Sequence, residues 1–164
     1  SGADAAAAVY GGCLLYRAGP RQRCERLQGL PPVVLAYSGS KTPTPEVIAA
    51  VERRRAQQPE LFDGLYDLVD AGVRQAASQV NAGDWPGLGR VCDFSQGLMD
   101  SRGVQTPALA DLVFELRRLP GVFGAKISGS GMGDCAMGIG RAEAGERPRR
   151  AVDVALGEEG VRVG

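Results

Sequence analysis

Apolar side chains recur three and four positions apart through the middle of the chain, whereas short unbroken apolar runs lie toward its two ends. That contrast predicts helices in the centre and strands on either side. Leu61, Leu65, Leu68, Val69, Val73 and Ala76 share one helical face, and the pattern breaks at Asn81, Ala82 and Gly83, so one long amphipathic helix is expected there. Asp84 is placed to cap a second helix through Trp85, Leu88, Val91, Phe94 and Leu98. Thr106-Pro107 opens a third through Leu109, Leu112, Val113, Leu116 and Leu119. Three consecutive helices thus fill the middle, with their Leu, Val and Ala stripes as core and Trp85 as a packing residue.

Residues 3–9 are alanine-rich and helix-prone, Ser1 is a candidate cap, and Gly11-Gly12 ends this helix before Cys13-Leu14-Leu15-Tyr16, an apolar run of strand length. Residues 17–28 are polar around Gly19-Pro20 and predict a surface turn. Pro32 then leads into Val33-Val34-Leu35-Ala36-Tyr37, a buried strand by composition, and the two strands are expected to pair as a hairpin. A loop over 38–43 closes on a helix start, where Thr44 can cap, Pro45 suits the first helical position, and Val47, Ile48 and Val51 begin an apolar stripe. Beyond Pro120, residues 122–127 and 135–140 read as paired strands around a glycine-dense turn, 150–156 as a last helix and 161–163 as a final short strand. Strands at both ends with helices between do not alternate as a doubly wound sheet would. The expected fold class is α+β, an antiparallel sheet with helices packed on one face.

With 164 residues, 44% of them hydrophobic, the chain can build one substantial core, and residues 1–164 are expected to form one compact domain. Nineteen Lys and Arg balance nineteen Asp and Glu, which leaves no global field to draw the chain to nucleic acid or an anionic membrane. Any charged ligand must be held locally. Histidine is absent, which excludes His-based triads, His-ligated metals and a His general base within this chain, so a carboxylate must do any base work. Cys13, Cys24, Cys92 and Cys135 lack Cys-x-x-Cys spacing; they read as buried free thiols of a reducing compartment, and no metal site is expected. No signal peptide or apolar stretch of membrane-spanning length is visible, so a soluble, cytoplasmic protein is expected. Lysine occurs only at Lys41 and Lys126, each beside a Ser/Gly turn.

Asp4 falls in the first turn of the first predicted helix, where the dipole favours a carboxylate. There it can orient a hydroxyl nucleophile and take its proton late in a loose phosphoryl-transfer transition state. Read alone, an acid at a helix start is the favoured account of it. The run Ser128-Gly129-Ser130-Gly131-Met132-Gly133-Asp134 alternates glycine with other residues, clearing side chains so that backbone N–H groups can meet an anion. Neither the dinucleotide fingerprint nor a Walker loop is present, and a tight hairpin loop is the plainer alternative. Asp134 would repel an anion there, so capping or backbone bonding is expected of it. Ser38, Ser40, Lys41 and Thr42 put hydroxyls and an ammonium on a loop before a helix, which suits a carboxylate or phosphate of a small substrate or simply a capped turn.

Three blocks in this order resemble the C-terminal half of mevalonate kinases of the GHMP superfamily. They are Ser1-Gly2-Ala3-Asp4 with Tyr10-Gly11-Gly12, Tyr37-Ser38-Gly39-Ser40-Lys41-Thr42-Pro43-Thr44, and Lys126-Ile127-Ser128-Gly129-Ser130-Gly131-Met132-Gly133-Asp134-Cys135. Gly103-Val104-Gln105-Thr106-Pro107 belongs to the same likeness, which runs over nearly the whole chain. The resemblance implies a ferredoxin-like C-terminal domain packed against an N-terminal domain, and an ATP-dependent kinase acting on the C5 hydroxyl of mevalonate in isoprenoid-precursor synthesis. It carries the catalytic aspartate onto Asp4 and the acceptor pocket onto Ser1 and Gly2, with Ser40 facing the acceptor. The loop that shapes the nucleotide phosphate and substrate site falls on Gly129, Ser130, Gly131, Met132 and Gly133. At Met132 and Asp134 this chain departs from a run of glycines that many members carry.

By the same resemblance ATP and Mg²⁺ are held mainly by the N-terminal domain, whose phosphate loop, magnesium-binding acid and lysine have no counterpart in these 164 residues. The chain, which does not start with Met, is therefore expected to be a C-terminal fragment, inactive by itself, with a homodimer as a candidate assembly. Phosphomevalonate kinase, whose motif is also close to residues 4–12, and a non-catalytic ferredoxin-like binding module are the alternatives.

Overall fold

The computed structural model describes residues 2–143 and 145–161. Helix α1 (Ala3–Tyr10) leads into strands β1 (Leu14–Arg17), β2 (Arg23–Arg26) and β3 (Val33–Tyr37). Helices α2 (Thr44–Gln57), α3 (Pro59–Ala82), α4 (Trp85–Ser101) and α5 (Pro107–Arg118) follow, and then β4 (Val122–Ile127), β5 (Cys135–Gly140) and β6 (Ala151–Val152). β1 and β2 form a two-stranded sheet; the other strands form a four-stranded sheet in the order β4-β5-β3-β6. Every pairing is antiparallel, so the expected α+β architecture is borne out.

Helix boundaries follow local chemistry. The Asp84 carboxylate accepts from the Gly87 N–H at 2.8 Å and the Thr106 hydroxyl from the Leu109 N–H at 3.3 Å, each relieving an orphan donor of the first turn. α3 stops where Gly83 turns left-handed at φ 66°. Thr44 differs from expectation: it is the first helical residue of α2, behind Pro43, and no side chain caps that end.

Alternation along β3 and β5 splits the apolar residues between two faces of the sheet. On one, Ala36, Ala125, Ile127 and Ala136 meet Val47 and Val51 of α2, Phe62 of α3 and Leu109, Leu112, Val113 and Leu116 of α5. On the other, Val33, Met137 and Ile139 meet Leu15 and Leu27 beside the β1–β2 hairpin, and Val80, Trp85, Leu88 and Cys92 around the α3–α4 junction. Trp85 is thus a packing residue.

β4 lies at the sheet edge, and α4 seals it. Asp93 accepts the Ala125 N–H at 2.9 Å and Gln96 accepts the Ile127 N–H at 2.8 Å, while Arg117 donates to the Ala125 carbonyl at 3.1 Å and to Asp93 at 2.7 Å. The strand therefore offers these groups to its own helix rather than to another chain. Close approach is possible because Gly124 faces Gly89: a Cβ on Gly124 would lie 2.1 Å from the Gly89 carbonyl oxygen.

Several expectations are corrected. Of the α3 stripe read as core, Leu65 is buried but Leu61, Leu68 and Val73 are exposed, and Phe62 is buried in their place. β1 pairs not with β3 but with β2, a strand inside the segment read as a turn, with Leu14 opposite Arg26. β3 instead lies between β5 and β6. Residues 150–156 form no helix; Ala151 and Val152 add the edge strand β6 beside Leu35 and Ala36, and the chain then continues without regular structure. Of the strand expected over 161–163, Val161 has no regular structure, and Arg162 and Val163 lie outside the described residues. No helix among the described residues is long and apolar enough to cross a membrane.

Candidate active site

Two loops leave the same end of the sheet and are stitched together. The Asp134 N–H donates to the Ser40 carbonyl at 2.6 Å, the Ser38 N–H to the Asp134 carbonyl at 2.8 Å, and the Thr42 hydroxyl to the Met132 carbonyl at 2.5 Å. A third segment supports them: the Met132 N–H donates to the Val104 carbonyl at 2.6 Å, and a Cβ on Gly131 would meet the Val104 side chain at 2.7 Å. Gly129, Gly131, Met132, Gly133 and Asp134 all hold positive φ, at 80°, 89°, 57°, 131° and 69°. Five left-handed residues among six are more than a two-residue hairpin loop needs. Among the described residues, the N–H groups of Gly129, Ser130, Gly131 and Gly133 donate to no protein acceptor, which leaves donors for an anion at the exposed Gly129 end.

Ser40 is exposed and its backbone is fixed on both sides, since the buried Ser38 hydroxyl donates to its carbonyl at 3.0 Å. Behind this loop the Arg150 guanidinium donates to the Ser38 carbonyl and lies against Gly39. Asp134 does not confine itself to backbone bonding, as expected from the sequence; its carboxylate pairs with Lys41 at 3.1 Å. The hydrogen bond and charge of Asp134 raise the Lys41 pKa, and the pair cancels the negative charge that would repel an anion from the turn. Lys126, expected to lie beside the turn, points off the opposite strand face from Ile127 and donates to the Ile127 carbonyl at 2.5 Å. Burial pulls its pKa down, the Arg102 charge adds to the fall, and interaction with Cys92 opposes it.

Asp4 is exposed in the first turn of α1 behind Gly2, whose left-handed backbone (φ 81°) sits at the helix start. Gly2 packs against the Tyr16 hydroxyl of β1. Ser1 lies outside the described residues. The structure thus joins Ser40 to the glycine turn through Asp134, while none of the described side-chain hydrogen bonds involves Asp4.

A family model described as GHMP kinases C terminal matches residues 76–156. Mevalonate kinase of Pyrococcus furiosus is 32% identical over 140 residues, covering 82% of this chain and 41% of that protein. For mevalonate kinase of Aeropyrum pernix the identity is 32% over 173 residues, covering 99% of the chain and 53% of the relative. Residues 76–156 carry the GHMP kinase C-terminal domain. Among solved structures, L. major mevalonate kinase in complex with R-mevalonate aligns with a TM-score of 0.78 at 30% identity, over 87% of this chain and 44% of that one. Streptococcus pneumoniae phosphomevalonate kinase aligns at 0.61 with 14% identity, over 76% of this chain and 36% of that one, and shows the shared fold alone. The chain spans about half the length of these kinases or less.

Sequence reasoning missed the polar relay that supports this GHMP kinase turn from below. Buried Gln96 accepts from Ile127 and donates to Gln105 at 2.6 Å, and Gln105 donates to Asp100 at 3.0 Å. One signal was available: Gln96 lies four positions after Cys92 and three before Met99, a polar residue on an apolar helical stripe. Nothing local marks Thr42, whose partner is 90 positions away.

Proposed function

We propose that this chain is the C-terminal part of an ATP-dependent kinase that transfers the γ-phosphoryl group to the C5 hydroxyl of mevalonate. The observation that carries this reading is the fusion of the 38–42 loop with the glycine turn, in a chain 32–33% identical to several mevalonate kinases. Asp4 orients the acceptor hydroxyl and takes its proton; Ser1, Gly2 and Ser40 line the acceptor pocket; residues 129–133 shape the phosphate site, with the open amides of Gly129, Ser130, Gly131 and Gly133 steadying the transferring phosphate. Those amides fit phosphate oxygens. By the likeness to the GHMP kinases, Mg²⁺, which would neutralise developing phosphate charge when bound, and most of the nucleotide are assigned to an N-terminal domain. Val9 and Tyr10 of α1, each 55% exposed, offer that domain an apolar surface. We place the whole protein in the cytoplasm, in keeping with its free cysteines.

In the whole protein, Asp4→Asn is expected to lower kcat by roughly 100- to 10,000-fold with nucleotide affinity retained. A near-normal kcat removes Asp4 from the mechanism. Lys41, exposed at the rim of the joined loops, supports a second reading in which the acceptor already carries a phosphate, as in phosphomevalonate kinase. Parallel assays with mevalonate and phosphomevalonate decide between the acceptors.

A further inference from the structure

The helix that bears Asp4 has little of its own to hold it. α1 is eight residues long, shorter than a helix that is stable alone in water, and only Ala6 is buried. Its C-terminal end, however, is gripped by a segment from the other end of the chain. The Val161 N–H donates to the Ala8 carbonyl at 2.9 Å, and the Gly12 N–H, just past the helix, donates to the Gly157 carbonyl at 2.9 Å. From β2 the Arg26 guanidinium donates to the Glu158 carbonyl at 2.5 Å. The fit is close: a Cβ on Gly160 would lie 1.9 Å from the Val9 carbonyl oxygen, and one on Gly11 would lie 2.3 Å from the Glu159 carbonyl carbon. Neither position has room for a side chain. This segment begins where the family match ends, at residue 156.

We infer that residues 157–161 are a strap that positions α1 and, through it, Asp4, an inference that rests on the catalytic reading of Asp4 given above. The Ala8 carbonyl is one of those a helix end leaves without an internal partner, and the strap supplies its donor. Asp4 stands one turn from this anchored end, on a rigid element. A small tilt of α1 would carry the carboxylate away from an acceptor hydroxyl held by the glycine turn and Ser40, and misplacement by about 1 Å is worth on the order of a hundredfold in rate.

The test uses the whole protein and two variants. Gly160→Ala pushes the strap off Val9; Arg26→Gln removes its side-chain tether without touching the strap backbone and serves if the first variant does not fold. Amide hydrogen exchange and steady-state kinetics are read on each. Exchange of the α1 amides is expected to quicken at least about tenfold while β4 and β5 keep their protection. In parallel, kcat is expected to fall about 10- to 100-fold with both KM values within about threefold of wild type, the signature of lost positioning rather than lost binding. Unchanged α1 exchange overturns the strap. So does quickened exchange with unchanged kcat, in a protein where Asp4→Asn abolishes turnover. If Asp4→Asn turns over normally, the catalytic reading fails instead, and α1 exchange alone decides whether the strap holds the helix.

Discussion

Asp134 and Met132 adopt the left-handed backbone that glycine takes freely, and they stand where the resemblance marks glycines in many GHMP kinases. For Asp this conformation is tolerable, because its short polar side chain suits it; for Met it is a cost that the neighbouring contacts must cover. Thr42 holds the Met132 carbonyl and Val104 accepts its N–H, so the strained residue is pinned on both sides. Lys126 illustrates a different tension. The sequence places both lysines beside Ser/Gly turns, yet one ends in a surface ion pair and the other in the protein interior, a difference set by tertiary packing that no local pattern shows. Because burial lowers the Lys126 pKa below the ordinary lysine value of about 10.4, the unfolded chain binds the extra proton across the window between the two values. Stability due to this group therefore rises with pH through that window, and below it the buried charge is fully penalised. Lys126→Met removes this contribution. Urea unfolding of both proteins from pH 7 to pH 10.5 is expected to show the difference shifting toward wild type as pH rises; a pH-independent difference would sink this account.

At the scale of elements, helices with a capping acid or hydroxyl and an apolar stripe were legible, as α4 and α5 show through Asp84 and Thr106. β2 was not, because Arg23, Cys24, Glu25 and Arg26 are all exposed and carry no alternation to betray a strand. The β1–β3 pairing failed for a related reason: partner choice depends on contacts distant in sequence, and β3 is claimed by β5 and β6. The glycine turn was visible as composition, but its attachment to Ser40, Thr42 and Val104 was not. The seal between α4 and β4 gives this level its prediction. Gln96→Leu deletes the acceptor of the Ile127 N–H and the donor to Gln105, leaving buried polar groups unpaired next to the turn. A loss of roughly 1–3 kcal/mol is expected by thermal or urea unfolding. Gln96→Glu keeps the acceptor and should recover part of it; equal losses in both variants would show that side-chain size, not the hydrogen bond, matters there.

For the molecule as a whole, two bodies of unequal strength share one sheet. The larger core gathers fourteen buried residues from α2 to α5 and β3 to β5, whereas the second has five and leans on the hairpin, whose β2 is exposed throughout. α1 adds one buried alanine to that weaker side. Local opening should therefore begin at α1 and the β1–β2 hairpin while the α4–β4 side stays closed. The cysteines report on this without mutation. Cys24 is exposed on β2; Cys13 is half-buried just before β1; Cys92 is buried on α4, and burial raises the thiol pKa of both Cys13 and Cys92, which handicaps their thiolates in the same direction. Under native conditions at pH 8, a thiol reagent followed by mass spectrometry is expected to modify Cys24 first and Cys13 next, at a rate that depends only weakly on urea. Cys92 belongs to the smaller core but is carried by α4 and shares its cluster with Val80 of α3 and Ile139 of β5, so it should stay covered when the hairpin opens and wait for global unfolding, its rate rising steeply with urea in step with the main transition. Cys13 and Cys92 reacting with one common urea dependence would mean that hairpin and sheet open together, and the division into a strong and a weak body would fall.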